Sequence, residues 1–287
     1  MRRCVFALLL PLPASASAQE GSEALHGVVH QGFLALLNPM GMQHRIGVGV
    51  RARLGEPSEL LFGGAHVEAG AISYVAPVFA IHGAYLQVSP LSFLVLRAEV
   101  AEMSVWPLGL EGAGYFTMQG YGDDFGVEAR PADAASAADG WNVRLRARLQ
   151  AAAPIGDARL LASNTITFEH DTLGSATHYY SPRHDLVLAR QDWVVLNDAL
   201  VVAEIPLAPD VDILAGAYSN LRWVPRSGYL GHQVGPLLAV KFEHPADSVD
   251  TIGIFVRGGW YTHHGTRGGQ PTLLGGLSVD YDLGGLR

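Results

Sequence analysis

Alternation with a period of two runs through most of this chain. Between Gln43 and Leu54 the even positions are His44, Ile46, Val48, Val50, Ala52 and Leu54, while the odd ones are Gln43, Arg45, Gly47, Gly49, Arg51 and Arg53. Residues 141–150 divide likewise, with Trp141, Val143, Leu145, Ala147 and Leu149 against Asn142, Arg144, Arg146, Arg148 and Gln150. In residues 250–262, Ile252, Ile254, Val256 and Trp260 oppose Thr251, Gly253, Arg257 and Tyr261; in residues 273–283, Leu273, Leu277, Val279, Tyr281 and Leu283 oppose Ser278, Asp280 and Asp282. Successive side chains of a strand point to opposite faces, whereas a helix brings apolar residues back every three or four positions, so these runs predict strands. Residues 191–205 mix Asp198 and Glu204 with Val194, Leu196 and Val202 on one parity, and a bulge or altered exposure is expected there. Residues 69–96 lack any Asp, Glu, Lys or Arg, the best case for a helical span, yet Gly70, Pro77, His82, Gly83, Gln87 and Pro90 interrupt it.

Pro and Gly punctuate the pattern. Short turns are expected at Gly55-Glu56-Pro57-Ser58, Ser89-Pro90-Leu91-Ser92, Pro154-Ile155-Gly156-Asp157, Pro206-Leu207-Ala208-Pro209-Asp210 and His244-Pro245-Ala246-Asp247. Longer polar connections fall between them, near 107–140, 171–190, 224–231 and 263–270; the largest, "GYGDDFGVEARPADAASAADG", suits an exposed loop with a helical turn. A further strand at 26–37 brings the total to about twelve. Starting inside with that strand, all these Pro-containing turns fall on one side and the long loops on the other, with both ends of the strand array on the turn side.

Composition decides which face is wet. The chain of 287 residues is 49% hydrophobic but 16% charged, below the roughly 25% usual for a soluble domain. Its start, "MRRCVFALLLPLPASASAQE", has a basic Arg2-Arg3, a short apolar core and an A-x-A cleavage pattern, so residues 1–18 are expected to be a cleaved signal and residues 19–287 one domain. Removing Arg2 and Arg3 leaves 17 basic against 27 acidic residues, a balance that argues against nucleic acid as a partner. The single cysteine, Cys4, lies inside the signal, so disulfides and cysteine metal sites are excluded from the mature chain. Charge is concentrated in the loops and on one strand face. The other face is rich in Leu, Val, Ala and Ile, with Trp141, Trp223, Trp260 and Tyr281 near strand ends, as lipid-facing positions require.

With the signal "MRRCVFALLLPLPASASA" and these alternating hairpins, the chain resembles bacterial outer-membrane β-barrel proteins across essentially its whole mature length. The resemblance is architectural and matches no subfamily motif. It implies an all-β, closed antiparallel transmembrane barrel of about twelve strands in the outer membrane, with lipid around it and the barrel-assembly machinery as a partner in biogenesis. Such barrels commonly end on an aromatic residue, whereas this chain ends "VDYDLGGLR".

If the apolar parity faces lipid, the other lines a lumen. That face carries Arg45, Arg51, Arg53, Arg97, Arg144, Arg146, Arg148, Arg159, Arg222 and Arg257, together with Glu68, Glu99, Glu169, Asp212, Asp280 and Asp282. Guanidinium keeps its charge and offers a planar fork to carboxylates or phosphates, so an arginine ladder suits small, including anionic, solutes. The alternative is that the arginines pair with these acids and plug a narrow lumen, giving a structural or partner-binding barrel. Solute contact is expected at Arg45, Arg51, Arg53, Arg97, Arg144, Arg146 and Arg148, with Glu169 facing them. No cofactor is expected. His178, His184 and Asp185, or His263 and His264, could ligate a metal, but no HExxH-like spacing supports this and loop histidines are usually solvated. A lipid hydrolase would pair Ser163 or Ser181 with His170, His178 or His184. No GxSxG elbow exists, and the expectation is a non-enzyme.

Overall fold

Each barrel strand pairs with the next barrel strand along the chain until the last returns to the first. The computed structural model describes residues 25–55, 61 and 63–285. In chain order its strands are β1 (Leu25–Leu37), β2 (Gly41–Arg53), β3 (His66–Ala76), β4 (Phe79–Leu91), β5 (Leu94–Val105), β6 (Phe116–Met118), β7 (Ala138–Ile155), β8 (Ala158–Leu173), β9 (His178–Ser181), β10 (Leu186–Ala189), β11 (Trp193–Ala208), β12 (Val211–Val224), β13 (Tyr229–Ala246), β14 (Val249–His263) and β15 (Pro271–Gly285). The short β6, β9 and β10 form a separate three-stranded sheet, and the other twelve close into an antiparallel barrel. Closure is made by β1 on β15, from His26 opposite Gly285 to Leu37 opposite Leu273. A closed ring leaves no sheet edge, so the barrel strands pair their backbone groups with one another and not with water. The expected signal at 1–18 lies outside the described residues, as do Glu56, Pro57 and Ser58 of the first expected turn.

Burial separates the two parities. Val48 is 49% exposed, Val100 52%, Leu145 46% and Ile254 51%, whereas Arg45 and Glu99 are each 2% exposed and Arg144 4%. The apolar face therefore looks outward. Trp141, Trp193, Trp223 and Trp260 all stand on it at the loop-side ends of β7, β11, β12 and β14, forming an aromatic girdle. An apolar belt of this kind around a closed barrel is a lipid interface, and the protein is an outer-membrane β-barrel. Changing Val100 to arginine, on the belt midway along β5, should destabilise the barrel by about 2–4 kcal/mol; urea unfolding in lipid vesicles measures this.

Several sequence expectations shift in detail. Four prolines of the turn side end their strands instead of forming the turns: Pro90, Pro154, Pro206 and Pro245 lie in β4, β7, β11 and β13, whereas Pro209 sits in its turn as expected, and the reversals themselves take two residues, such as Gly156-Asp157 and Pro209-Asp210. The expected long connection at 224–231 is a four-residue turn, because β13 already begins at Tyr229. Along β11, Val194, Leu196 and Val202 point inward with Asp198 and Glu204, since part of the lumen wall is itself apolar. The uncharged 69–96 stretch is the β3–β4 hairpin. The 107–140 loop does carry a single 3-10 turn, Ala132–Ala134.

One glycine is tied to the interior. A Cβ on Gly49 would lie 2.4 Å from the Tyr85 hydroxyl. Its absence lets Tyr85 cross to donate a 2.8 Å hydrogen bond to Glu68.

Candidate functional site in the barrel lumen

Strand register decides which lumen charges meet. Glu99 of β5 lies opposite Arg144 of β7, which lies opposite Glu169 of β8, so one row across the wall reads minus, plus, minus. Arg144 donates from Nε to Glu169 Oε2 at 3.1 Å, from Nη2 to Glu169 Oε1 at 3.2 Å, and from Nη1 to Glu99 Oε2 at 3.1 Å. Tyr74 of β3 donates to the same Glu99 at 2.9 Å and accepts from Arg144 at 2.8 Å. Two carboxylates flank one guanidinium, so this row has no cationic surplus, and Arg183 and Arg97 from outside it meet the remaining negative charge.

The rows nearer the turn side differ. Arg97 lies opposite Arg146, and Val95 opposite Arg148. Like charges directly opposite each other repel. Glu99 is wedged between the first pair, accepting from Arg97 Nε at 2.7 Å and lying 3.7 Å from Arg146 Nη2. Arg148 makes no hydrogen bond or ion pair among the described residues, and its Nε is buried without a partner. Arg45 of β2 is buried with all three nitrogens unpartnered among the described residues, against the Tyr74 ring at 5.9 Å. Arg45, Arg146 and Arg148 are therefore cationic surplus. Arg51 is committed to Glu68 at 2.8 Å, and Arg53 stands exposed at the turn-side end of β2. Arg159 and Lys241 converge on Glu204 at 2.5 and 3.0 Å, close to the turns. At the closing seam His30 bridges Asp280 at 2.5 Å and Glu68 at 3.0 Å.

Facing the arginine wall, β8 and β11–β14 contribute an apolar lumen surface that includes Leu161, Val202, Leu214, Leu237 and Phe255. Between the two walls is a cavity of about 100 Å³ that Arg148, Phe255, Lys241 and Ser163 help to line. At about 10–15 Å³ per water it has room for several waters or one small solute.

The loop side is closed from within. The hairpin of β9 and β10 carries Arg183, His184 and Asp185 at its tip, all with no exposure. Arg183 bonds Glu169, and its guanidinium lies 5.3 Å from the centre of the Tyr74 ring. Arg222 of β12 donates to the His184 carbonyl. Asp185 accepts from Tyr180 at 2.8 Å and from Arg267 of the 264–270 loop at 2.9 Å. Arg130 of the long loop lies over Tyr180 at 3.5 Å. The hairpin thus fills the outer part of the lumen.

Loop histidines are expected to be solvated, and here burial corrects that reading for His184 and His264, which are 0% and 9% exposed. The sign was available: "HYYSPRHDLVLA" is too apolar for a solvated loop. Burial pushes the His184 imidazole down to about 4, an effect that Glu169 opposes and Arg222 and Arg144 reinforce. Glu169, Asp171 and His184 each present a ligand atom within 4.8 Å of the others. Yet Glu169 already accepts from Asn142, Arg144 and Arg183, which makes this an ion-pair cluster, not a metal seat. The other expected ligand, Asp185, is taken by Tyr180 and Arg267.

The expected hydrolase pairs do not meet. Ser163 faces the lumen cavity, whereas His170 stacks on Trp193 on the outer wall at 5.1 Å. Ser181 accepts from the backbone of His184, not from its ring. His178 packs edge-on against Tyr121.

No protein-family model matches the chain, and no curated protein does. Among solved structures it is similar to the KdgM porin, at 8% identity over 90% of this chain and 99% of that one with a TM-score of 0.37. It is also similar to the NanC porin, at 8% identity over 90% and 100% of the two chains with a TM-score of 0.38. An outer-membrane protein of Vibrio cholerae, OmpT, matches at 10% identity over 90% and 96% with a TM-score of 0.33. These likenesses provide no residue-level correspondence, so the lumen has to be read from its own side chains.

Proposed function

We propose that this barrel binds and passes small anionic solutes through a lumen whose outer mouth is closed by the 178–189 hairpin. The observation that carries this reading is the guanidinium surplus at Arg45, Arg146 and Arg148, where Arg45 and Arg148 have no carboxylate partner among the described residues and Arg146 shares Glu99 with Arg97 and Arg144. Holding an uncompensated charge away from bulk water is costly, and a fold that keeps Arg45 and Arg148 so, with Arg146 only partly met by Glu99, gains from an anion beside them. Arg144, Arg97 and Glu169 are the frame that holds that wall. Arg53 extends positive charge to the turn-side entrance, while Arg51 is paired with Glu68. In this reading residues 1–18 are removed on export, residues 19–287 are the functional unit, and the assembly machinery inserts it.

Conductance of the purified protein in a planar bilayer tests the proposal. The wild-type barrel should open rarely and prefer chloride over potassium. Changing Arg146 and Arg148 together to serine should remove most of that preference while leaving the Arg144 row intact. Cation preference in the wild type, or an unchanged preference in the variant, would overturn it.

A further inference from the structure

A connected set of hydroxyl and imidazole groups on the outer wall can pass a proton between its members. One such set joins three strands of the outer wall. Ser219 of β12 lies 2.9 Å from Nε2 of His232 on β13. Nδ1 of the same ring meets the hydroxyl of Thr262 on β14. Thr262 in turn donates to the His232 carbonyl at 3.4 Å. These bonds fit one tautomer: Nδ1 carries the proton and donates it to Thr262, leaving Nε2 to accept from the Ser219 hydroxyl.

The three share the outward face. Ala217 and Trp223 on the Ser219 parity, and Leu230 and Val234 on the His232 parity, are exposed. A β-bulge builds the contact. His232 pairs with His263 and Gln233 with Tyr261, so Thr262 is the extra residue, turned toward the imidazole. Depth is set by register: Ser219 lies opposite Val234, which lies opposite Trp260 of the aromatic girdle. The set therefore lies where outer-leaflet headgroups meet acyl chains, the depth of ester bonds in an acylated lipid.

We infer that this outer-wall set is an esterase site for acyl-ester lipids of the outer leaflet, distinct from the lumen. Ser219 Oγ attacks the ester carbonyl as its proton passes to His232 Nε2. The C–O bond of the ester then breaks, and the departing alkoxide takes that proton from His232. Water, deprotonated by His232, hydrolyses the acyl-serine to a free fatty acid and restores Ser219. Thr262 is a positioning residue that holds the tautomer.

The test uses purified folded protein, with the heat-modifiable gel shift as its folding control. A fluorophosphonate should add to Ser219, as read by peptide mass, and fatty acid should be released from phosphatidylethanolamine or lipopolysaccharide in mixed micelles. The two lipids distinguish a glycerophospholipid from an acylated glycolipid. Ser219→Ala and His232→Ala should each lower release by about a hundredfold or more. Thr262→Val should lower kcat by about tenfold, leave KM unchanged and shift the pH–rate profile, with Thr262→Ser restoring both. Folded wild-type protein that forms no adduct at Ser219, or releases fatty acid from neither lipid, would overturn the inference. So would undiminished release by Ser219→Ala, and if a variant does not fold, the adduct on wild-type protein decides alone.

Discussion

Changing Glu169 to alanine is expected to release the 178–189 hairpin from the wall and raise the open population of the lumen by about a hundredfold or more. Glu169 holds both sides of that contact, since Arg144 of the wall and Arg183 of the hairpin bind the one carboxylate and Asn142 completes it. Arg144 keeps Glu99, but Arg183 is left buried without a carboxylate, and removing one partner of a buried pair costs about 3–5 kcal/mol. At about 1.4 kcal/mol per factor of ten, this moves a docked hairpin to a largely released one. Tryptic cleavage after Arg183, followed by mass, should accelerate with bilayer conductance. Glu169→Gln, which preserves shape and can still bond Asn142, should fall between the two. Unchanged cleavage and conductance in Glu169→Ala would show that the hairpin is held by other contacts.

Such a keystone could not be read from the chain, although its surroundings could. Alternation at 43–54 and 141–150 reports a wall with lipid on one side, and the structure places those arginines inward as the pattern requires. The same logic misleads on β11, where Val202 and Leu196 look like lipid-facing residues but point into an apolar part of the lumen. Parity assigns a residue to a face; it does not assign its neighbour across the sheet. Arg144 falls between two glutamates while Arg148, four residues on, falls between Val95 and Thr165, and that difference belongs to register alone. The hairpin tip was hidden for another reason. A long loop rich in turn residues reads as solvated, and burial of Arg183, His184 and Asp185 follows from the apolar Tyr179, Tyr180, Leu186 and Leu188 beside them. Ser219, His232 and Thr262 lie 13 and 30 residues apart, and the bulge that joins them leaves no periodic trace.

Acidification should open the same closure through His184. In the docked hairpin its imidazole, buried, titrates at about 4, against the 6.5 of a free histidine. The charged and titratable groups around it are Glu169 and Asp171 of β8, Arg144 of β7 and Arg222 of β12, with Nε2 3.3 Å from Asp171 Oδ2. Between those two values the released hairpin binds more protons than the docked one, so docking strengthens as pH rises and weakens as it falls. The contribution is complete above about 6.5, is lost progressively below it, and is gone below about 4. Its full size is about 3 kcal/mol, at 1.36 kcal/mol for each pH unit between the two states. Conductance should therefore be low at pH 7.5 and rise steeply toward pH 4.5. His184→Gln removes the titrating ring but keeps a neutral side chain near Asp171, and should flatten the rise across the same range. Superimposable pH profiles for the two proteins would show that His184 does not control the opening.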